Sequence, residues 1–400
     1  MTAKDPIKVL HVIYGLSTGG AEIYIRETSR AALAEGYFKP SVLGWRKGGD
    51  LESDFAAIGA PASSLNFEVG GLTAPLKFRA LVRRIADEIV ATGADVVHGH
   101  LTDGALLAVL AGRLADTPVA VTAHSNHVIP MSLKTGGFKH TLWRVLTGWA
   151  YKRADALLAI SPQVQASIMS TLGAPKEKIS ITPIGVAPAI PSRPRAEVRD
   201  ELGVDADADM LVFVGRLAQN KNQAGLVRAM PDLLRQRPKA LLVLVGDGPD
   251  AERLKELSHE LGVGDRVVLA GARSDIADLL GASDVFVTAS RSEGVSLAVL
   301  EAFSCGLPVV STDVDGNREL LSERCGLLTP EDAPQKMAQT LADLLGDDAT
   351  RALIGQKAQA RWRDHYRLEA ATLRLAEVYA RLAGVDAPRS EQTLAAVPAA

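Results

Sequence analysis

The sequence contains little cysteine, no long apolar run and no excess of basic residues, and each absence excludes a class of protein. Its two cysteines, Cys305 and Cys325, are too few for a disulfide framework and lack the CxxC spacing of a zinc site. No stretch approaches the roughly 20 consecutive apolar residues of a transmembrane helix, and the first apolar run, 7–13, is too short for a signal peptide. We therefore expect a cytoplasmic protein in a reducing compartment, with any membrane contact peripheral and at the inner face of the plasma membrane.

The charge balance is close to neutral. The chain has 44 Lys and Arg against 47 Asp and Glu, a net charge of −3, so it lacks the basic excess of a nucleic-acid-binding protein. With 47% hydrophobic residues it has the composition of a folded soluble protein. Its 400 residues predict two domains, at roughly 100–200 residues per domain.

Short β-branched runs alternate with longer segments of helical periodicity along the chain. Apolar strands between amphipathic helices indicate parallel sheets that are covered on both faces, so the sequence predicts an α/β fold in each domain. The predicted strands are Lys8–Tyr14, Pro40–Leu43, Asp95–His98, Pro118–Ala123, Ala156–Ile160, Ile179–Ile184, Met210–Val214, Ala240–Val245, Arg266–Ala270, Val285–Thr288, Pro308–Ser311 and Gly326–Leu328.

A proline-rich stretch predicts the domain boundary. Three prolines fall within Val186–Pro194 without helical or strand periodicity, which is typical of a linker. The predicted organisation is an N-terminal domain at 1–186, a linker at 187–194, a C-terminal domain at 195–366, a last helix at 367–386 and a disordered tail at 387–400.

Ligands of open parallel sheets bind beyond the carboxyl ends of the strands, so the loops after the strands hold the candidate sites. The first strand is followed by a glycine-rich turn that contains Gly19 and Gly20 and enters a helix. Free backbone N–H groups at a helix N-terminus suit a phosphate or a sugar. The turn does not match GxGxxG, which weakens a dinucleotide interpretation, and a purely structural turn is the alternative.

Two further loops follow strands of the C-terminal domain. Arg216 and Lys221 lie five residues apart in a strand-to-helix loop and suit the two charges of a diphosphate. The alternative is a solvated pair of cations. The tight turn Val245–Asp250 contacts a ligand or only reverses the chain.

The most specific motif places two carboxylates around a glycine. We expect a helix to begin at Gly294, so that Glu293 stands in the loop and Glu301 lies about two turns into the helix. One carboxylate would then hold hydroxyls of a sugar and the other those of a ribose. The backbone N–H groups that would face the phosphates are those of Gly294, Val295 and Ser296.

Four histidines follow strands of the N-terminal domain, at His98, His100, His124 and His127. Their HxH and HxxH spacing raises the question of a metal site, but no carboxylate cluster accompanies them. We expect no metal, and a hydroxyl or phosphate contact for His124.

The segment Met131–Arg153 is basic and amphipathic. No Asp or Glu occurs from Thr117 to Ala154, whereas five cations and two tryptophans lie within the segment. A basic helix rich in tryptophan is typical of a membrane-surface element. The alternative is a helix that packs its apolar stripe on the sheet.

Taken in order, these motifs resemble the retaining glycosyltransferases of family 4, which have the GT-B fold. The resemblance extends from Ile7 to Leu382. It implies two Rossmann-like, doubly wound parallel-sheet domains that face a central cleft. The motifs that carry it are Gly19-Gly-Ala-Glu22, His124, Gly215-Arg-Leu217 with Lys221, Gly246-Asp-Gly-Pro249, and Glu293 and Glu301 followed by Gly306-Leu-Pro-Val-Val310.

The resemblance implies a role for each motif of the C-terminal domain. That domain would bind a UDP- or GDP-sugar, with Arg216 and Lys221 on the diphosphate. Glu293 would contact the donor sugar and Glu301 the ribose.

For the N-terminal domain, the resemblance implies that the loop of Gly19 and Gly20 approaches the donor phosphates. His124 would lie near the anomeric carbon. The last helix would cross back to this domain. The implied reaction moves a hexose-type sugar to a glycan or lipid-linked acceptor of surface-polysaccharide assembly, with retention, without a metal and by a front-face route.

Two alternatives belong to other classes. A nucleotide-sugar epimerase would need acid and base residues beyond those identified. A non-catalytic nucleotide-sugar-binding protein would need neither His124 nor the Gly19–Gly20 loop. One departure from the family pattern is Asp315-Gly316-Asn317, where a Gly-Gly pair is more usual, and it leaves the sugar contacts of that loop open.

Overall fold

The computed structural model describes residues 6–46, 48–67, 75–125 and 137–388. The chain divides into two compact units, Met1–Gly185 with Arg367–Ala400, and Val186–Tyr366. The boundary falls one residue before the predicted end of the first domain. Of the predicted tail, residues 389–400 lie outside the described residues.

The first unit contains a parallel sheet with strand order β3-β2-β1-β4-β5-β6-β7 within the described residues. Its strands are β1 Ile7–Ile13, β2 Phe38–Gly44, β3 Ala62–Ser64, β4 Val96–His100, β5 Val119–Ala123, β6 Ala156–Ala159 and β7 Ile179–Ile181. The helices between them are α1 Gly20–Glu35, α2 Glu52–Ala57, α3 Pro75–Thr92, α4 Leu101–Leu114, α5 Phe138–Arg153 and α6 Pro162–Leu172. Strand β3 was not predicted, because its three residues Ala-Ser-Ser carry no apolar alternation.

The second unit contains a parallel sheet with strand order β10-β9-β8-β11-β12-β13. Its strands are β8 Met210–Val214, β9 Leu241–Val245, β10 Val267–Gly271, β11 Val285–Thr288, β12 Val309–Thr312 and β13 Leu327–Thr329. Its helices are α7 Arg195–Glu201, α8 Gln223–Gln236, α9 Ala251–Glu260, α10 Ile276–Ala282, α11 Leu297–Ser304, α12 Asp315–Leu320, α13 Pro334–Leu345 and α14 Asp348–His365.

Both faces of the second sheet are apolar, as the uninterrupted hydrophobic strands predict. Along β8, Met210 and Val212 belong to one buried cluster, and Leu211 and Phe213 belong to another. Successive side chains of a strand point to opposite faces, so one strand contributes to two core layers. The prediction of an α/β fold in each half is confirmed.

The predicted linker, 187–194, is anchored to the second unit. The Ala189 N–H donates to Ser304 Oγ at 2.9 Å, and the Ser192 N–H donates to Asp278 Oδ1 at 2.5 Å. The prolines keep this segment out of regular structure, but its polar groups are satisfied by the unit that follows it.

The last helix, α15 Leu368–Ala383, lies in the first unit. It packs against α1 and β1, and Tyr379 is fully buried there. Gly185, the last residue before the second unit, packs on the backbone of Arg367 and Leu368. Among the described residues, no helix is long and apolar enough to cross a bilayer.

Candidate functional site

The glycine-rich turn after β1 forms the amino end of α1. Gly19 is the N-cap residue in an extended conformation, and Gly20 is the first helical residue. A side-chain carbon on Gly20 would meet no atom within 4 Å, whereas one on Gly19 would meet the Glu22 carboxylate at 2.5 Å. The helix terminus at Gly20 is therefore open within its unit. Burial raises the pKa of the Glu22 carboxyl beside it.

Histidines from three neighbouring strands meet in the core of the first unit. His11 of β1 pairs in register with His98 of β4, and His100 lies two residues further on the same face. His11 Nδ1 is 2.9 Å from His100 Nε2. His100 Nδ1 is 2.9 Å from Nε2 of His124, which directly follows β5. His127, the remaining predicted histidine, lies outside the described residues.

These four imidazoles are neutral at physiological pH. Burial lowers the pKa of His11 to about 3 and that of His124 to about 4. The pKa values of His98 and His100 also lie well below 6.5, first because of burial and then because the neighbouring imidazoles disfavour a second positive charge.

The ring nitrogens of His11, His98 and His100 lie within 4.8 Å of one another, close enough to raise the question of a metal ion. Both nitrogens of His98 are already engaged, by Tyr379 Oη at 2.6 Å and by Thr122 Oγ1 at 2.7 Å. The 2.9 Å separations along the row are hydrogen-bond lengths. We interpret the cluster as a hydrogen-bonded network, and the absence of a metal stays a prediction.

In the second unit, Arg216 and Lys221 follow β8 as predicted. Arg216 is exposed, and its guanidinium forms no ion pair with a residue that the structure describes. Lys221 ends a short 3-10 turn, and Asn222 then adopts a left-handed conformation before α8 begins. The two cations therefore stand at the amino end of a long helix, where an anion is stabilised.

The turn after β9 supports this loop. The Leu217 N–H donates to the Asp247 carbonyl at 2.9 Å, and the Asp250 N–H donates to the Leu217 carbonyl at 3.1 Å. A side-chain carbon on Gly246 would collide with the Gly215 carbonyl. Of the two predicted alternatives for this turn, the contacts support a structural role.

Glu293 is held by two neighbours from different loops. Lys221 Nζ lies 2.5 Å from Glu293 Oε1, and the Ser290 hydroxyl donates to the same oxygen at 2.6 Å. The Glu293 side chain is only 9% exposed. Both recorded bonds use Oε1, so Oε2 has no partner among the described residues and can accept from a ligand hydroxyl.

The predicted helix start at Gly294 is wrong. Helix α11 begins at Leu297, with Ser296 as an extended N-cap residue, so Glu301 lies one turn into the helix instead of two. The physical reason is contact with the start of helix α12. A side-chain carbon on Gly316 would overlap the Gly294 carbonyl oxygen, which fixes Gly294 in a bend.

Residues 315–317 form the first turn of α12 and support the bend at Gly294. Asn317 is fully buried. Its Nδ2 donates to Ser311 Oγ at 2.6 Å and to the Thr312 carbonyl at 3.3 Å. In the sequence, the signal for the contact with Gly294 was Gly316, because only glycine permits such a close approach of two backbone segments.

Replacing Gly316 with alanine is expected to weaken binding of the nucleotide sugar that the resemblance implies at least about tenfold and to destabilise the protein by roughly 1–3 kcal/mol, because the new methyl group pushes the Gly294 backbone and moves Glu293. Gly346→Ala is the matched control, since Gly346 ends α13 with a φ of −85° that any residue adopts. Urea unfolding and donor titration measure both effects. Equal behaviour of the two variants would contradict the steric argument.

Two family models match the two halves of the chain. One, described as a glycosyl transferase 4-like domain, covers residues 19–185, and one for glycosyl transferases group 1 covers residues 194–361. A D-inositol 3-phosphate glycosyltransferase from Kineococcus radiotolerans is 32% identical over 291 residues, 67% of each chain. The chain belongs to glycosyltransferase family 4. Among other relatives of this glycosyltransferase is an Escherichia coli UDP-Gal:alpha-D-GlcNAc-diphosphoundecaprenol alpha-1,3-galactosyltransferase, 31% identical over 236 residues, 57% of this chain and 60% of that one.

Solved structures show the fold of the glycosyltransferase. The Anabaena protein HepE, solved in complex with UDP, superposes with a TM-score of 0.80 at 22% identity, covering 94% of this chain and 100% of that one. A second HepE structure, in complex with UDP-glucose, superposes with a TM-score of 0.79 at 21% identity, with the same coverage of both chains. The prediction of the GT-B fold is confirmed.

Proposed function

We propose that this glycosyltransferase moves a hexose-type sugar from a nucleoside-diphosphate sugar to an acceptor hydroxyl, with retention and without a metal. The observation that carries the proposal is the Lys221–Glu293 pair, which joins a cation for the diphosphate to a carboxylate for the sugar. Exposed Arg216 stands in the same loop as Lys221. One loop cluster of the second unit thus offers groups for both parts of the donor.

The charge arrangement suits the departure of a nucleoside diphosphate. Negative charge builds up on the phosphates as the glycosidic bond breaks, and preorganised cations and backbone N–H groups stabilise it. Arg216, Lys221 and the N–H groups at Gly294, Val295 and Ser296 supply such donors. In the front-face route the leaving phosphate takes the proton of the acceptor hydroxyl, so no second carboxylate is needed as a nucleophile.

The remaining donor contacts are assigned by resemblance. Glu301 holds the ribose, Gly19 and Gly20 approach the phosphates, and His124 lies near the anomeric carbon. Between UDP and GDP, we favour UDP as the nucleotide of the sugar donor. The HepE structures contain UDP or UDP-glucose, and the E. coli relative is named for UDP-Gal.

A thermal-shift panel with UDP- and GDP-sugars, free UDP, free GDP and NAD tests the donor site. We expect stabilisation by one nucleotide family, because a ligand that binds only the folded state raises the unfolding temperature. The shift should be lost in Lys221→Ala and in Glu301→Ala. No stabilisation by any nucleotide at millimolar concentration would contradict the donor site, and stabilisation by NAD alone would favour an oxidoreductase.

We further propose a lipid-linked acceptor at a membrane surface, in glycan or surface-polysaccharide assembly. Of the predicted segment Met131–Arg153, the structure describes α5, whereas 131–136 lie outside the described residues. Phe138, Leu142 and Val145 are 83%, 36% and 59% exposed. Their spacing places them on one side of the helix. Because they are exposed, this apolar side of α5 is not packed on the sheet.

The charge of α5 supports an anionic surface as the partner. Arg144, Lys152 and Arg153 are exposed on this helix, and basic amphipathic helices bind anionic lipids through apolar insertion and charge together. The E. coli relative is named for an acceptor on diphosphoundecaprenol, which is a lipid carrier.

Vesicle sedimentation tests this surface. Phe138→Glu combined with Val145→Glu is expected to weaken binding to phosphatidylglycerol-containing vesicles at least about tenfold, because each exposed apolar side chain contributes on the order of 1 kcal/mol or more when it is inserted. Leu353→Glu is the matched control, since Leu353 is 53% exposed on α14 of the other unit. Binding that survives the double substitution, or that ignores added salt, would contradict the proposal.

A further inference from the structure

The row His11–His100–His124 runs from the buried core to a partly exposed histidine, His124, which is assigned to the sugar nucleotide. His11 Nδ1 meets His100 Nε2, and His100 Nδ1 meets His124 Nε2, both at 2.9 Å. A neutral imidazole has one N–H donor and one nitrogen acceptor. Because His100 uses both nitrogens, it donates on one side and accepts on the other, so the two bonds run in the same direction.

The two possible directions differ at the far end of the row. If the bonds run from His124 towards His11, the His11 proton lies on Nε2, a buried atom that has no hydrogen-bond partner among the described residues. A buried N–H without an acceptor is rare in proteins. If the bonds run from His11 towards His124, His11 donates its only proton to His100, and its Nε2 carries a lone pair. The structure favours this second direction.

Within the part of the chain that the structure describes, no neighbouring group accepts a hydrogen bond from His11 Nε2. His98, whose ring lies 5.3 Å from that of His11, is engaged at Nδ1 by Tyr379 Oη and at Nε2 by Thr122 Oγ1. Phe38 and Tyr379 present rings to His11, with centroids at 6.5 and 6.4 Å.

We propose that His11 and His100 are positioning residues that fix His124 as the Nδ1–H tautomer, so that His124 acts as a hydrogen-bond donor to the sugar nucleotide and not as a general base. In this direction, the His124 Nε2 that lies 2.9 Å from His100 Nδ1 is the acceptor of that hydrogen bond. Its Nδ1 forms no hydrogen bond with any described residue, and His124 is partly exposed. The role towards the sugar nucleotide rests on the proposed function, whereas the tautomer does not.

The chemistry of the ligand agrees with this direction. Phosphate oxygens are acceptors only, so a phosphate contact requires an N–H on the facing nitrogen. A His124 side chain that donates a hydrogen bond and takes up no proton also fits the front-face route. In that route the leaving phosphate takes the proton of the acceptor hydroxyl.

Nitrogen-15 NMR of the histidine-labelled full chain tests the tautomer at pH 7.5. Long-range proton–nitrogen spectra distinguish a protonated Nδ1 from a protonated Nε2, and His124→Gln identifies the His124 signals among the eight histidines. We expect a protonated Nδ1 and an unprotonated Nε2 for His124. A protonated Nε2 would overturn the proposal.

Two substitutions of His100 separate positioning from mere packing. An asparagine amide can replace the Nδ1–H group, so His100→Asn keeps the donor to His124, whereas His100→Gln places its amide near Nε2 and loses that donor. We expect His100→Asn to keep the His124 tautomer and His100→Gln to mix the two tautomers, with transfer lowered roughly tenfold, the equivalent of one hydrogen bond. If both variants shift the tautomer equally, the proposal fails; if both unfold, the wild-type spectrum decides.

The two proposals fail separately. A wild-type spectrum with Nδ1–H at His124 but without sugar-nucleotide binding would refute the donor site and leave the tautomer standing. About one firmly bound transition-metal ion per purified chain, found by elemental analysis and lost in His11→Gln, would overturn the network and make the cluster a metal site.

Discussion

Replacing Lys221 with methionine lowers kcat/KM for sugar transfer by about 10²–10³-fold, the usual cost of removing one preorganised group that stabilises transition-state charge. The substitution keeps the aliphatic stem but removes the ammonium group 2.5 Å from Glu293 Oε1. On the proposed function, it removes a charge partner of the diphosphate and also releases the carboxylate assigned to the sugar. A loss confined to KM would indicate uniform binding and contradict this role.

The matched control for Lys221→Met is Lys239→Met. Lys239 also pairs with a carboxylate, that of Asp207, but this pair lies on the surface of the same unit. Exposed ion pairs contribute little to stability, so this variant should retain wild-type transfer. Steady-state kinetics with a nucleotide sugar, together with thermal unfolding, separates a catalytic effect from general damage.

Acidification from pH 6.5 to pH 4 is expected to unfold the first unit before the second. The four buried histidines are neutral in the folded state, with pKa values of about 3 for His11 and about 4 for His124. Unfolding returns each to about 6.5. Below that pH the unfolded chain binds more protons than the folded chain, so stability is complete above pH 6.5 and is lost as the pH falls. Each histidine that takes up a proton only on unfolding costs about 1.4 kcal/mol per pH unit.

Tryptophan fluorescence reports this transition unit by unit. Trp45, Trp143 and Trp149 belong to the first unit, and Trp362 belongs to the second. In Trp362→Phe, the remaining fluorescence follows the first unit alone and should show an acid transition above pH 4. His140→Asn, outside the cluster, should leave the midpoint unchanged. A first unit that is still folded at pH 4 would contradict the assignment of neutral histidines.

Local periodicity predicted the strands and loops around Lys221, but not which of the loops meet. The apolar strands β8 and β11 are adjacent in a parallel sheet, so the loops that follow them meet at one edge. That adjacency is seen only in the structure, and in the sequence Arg216, Lys221 and Glu293 were grouped through the family resemblance alone. The start of α11 could not be predicted either, because it depends on the approach of Gly316, in helix α12, more than twenty residues away in the sequence.

The histidine row was only partly visible in the sequence. The HxH spacing of His98 and His100 places both on one face of a strand, which indicates that they are neighbours. His11 was not singled out, because nothing in the sequence sets the register between β1 and β4. The predicted linker was likewise defined by its prolines alone. The sequence does not show that Asp278 accepts hydrogen bonds from Ser192.

The placement of α15 has a practical consequence for anyone who wishes to produce the two halves separately. Cutting the chain after Gly185 would deprive the first unit of the helix that carries Tyr379, the hydrogen-bond partner of His98. A self-sufficient N-terminal fragment must instead splice residues 1–185 directly to 367–388. Because Gly185 already packs on the backbone of Arg367, a connector of a few residues is enough, and the excised segment 186–366 is the whole of the second unit.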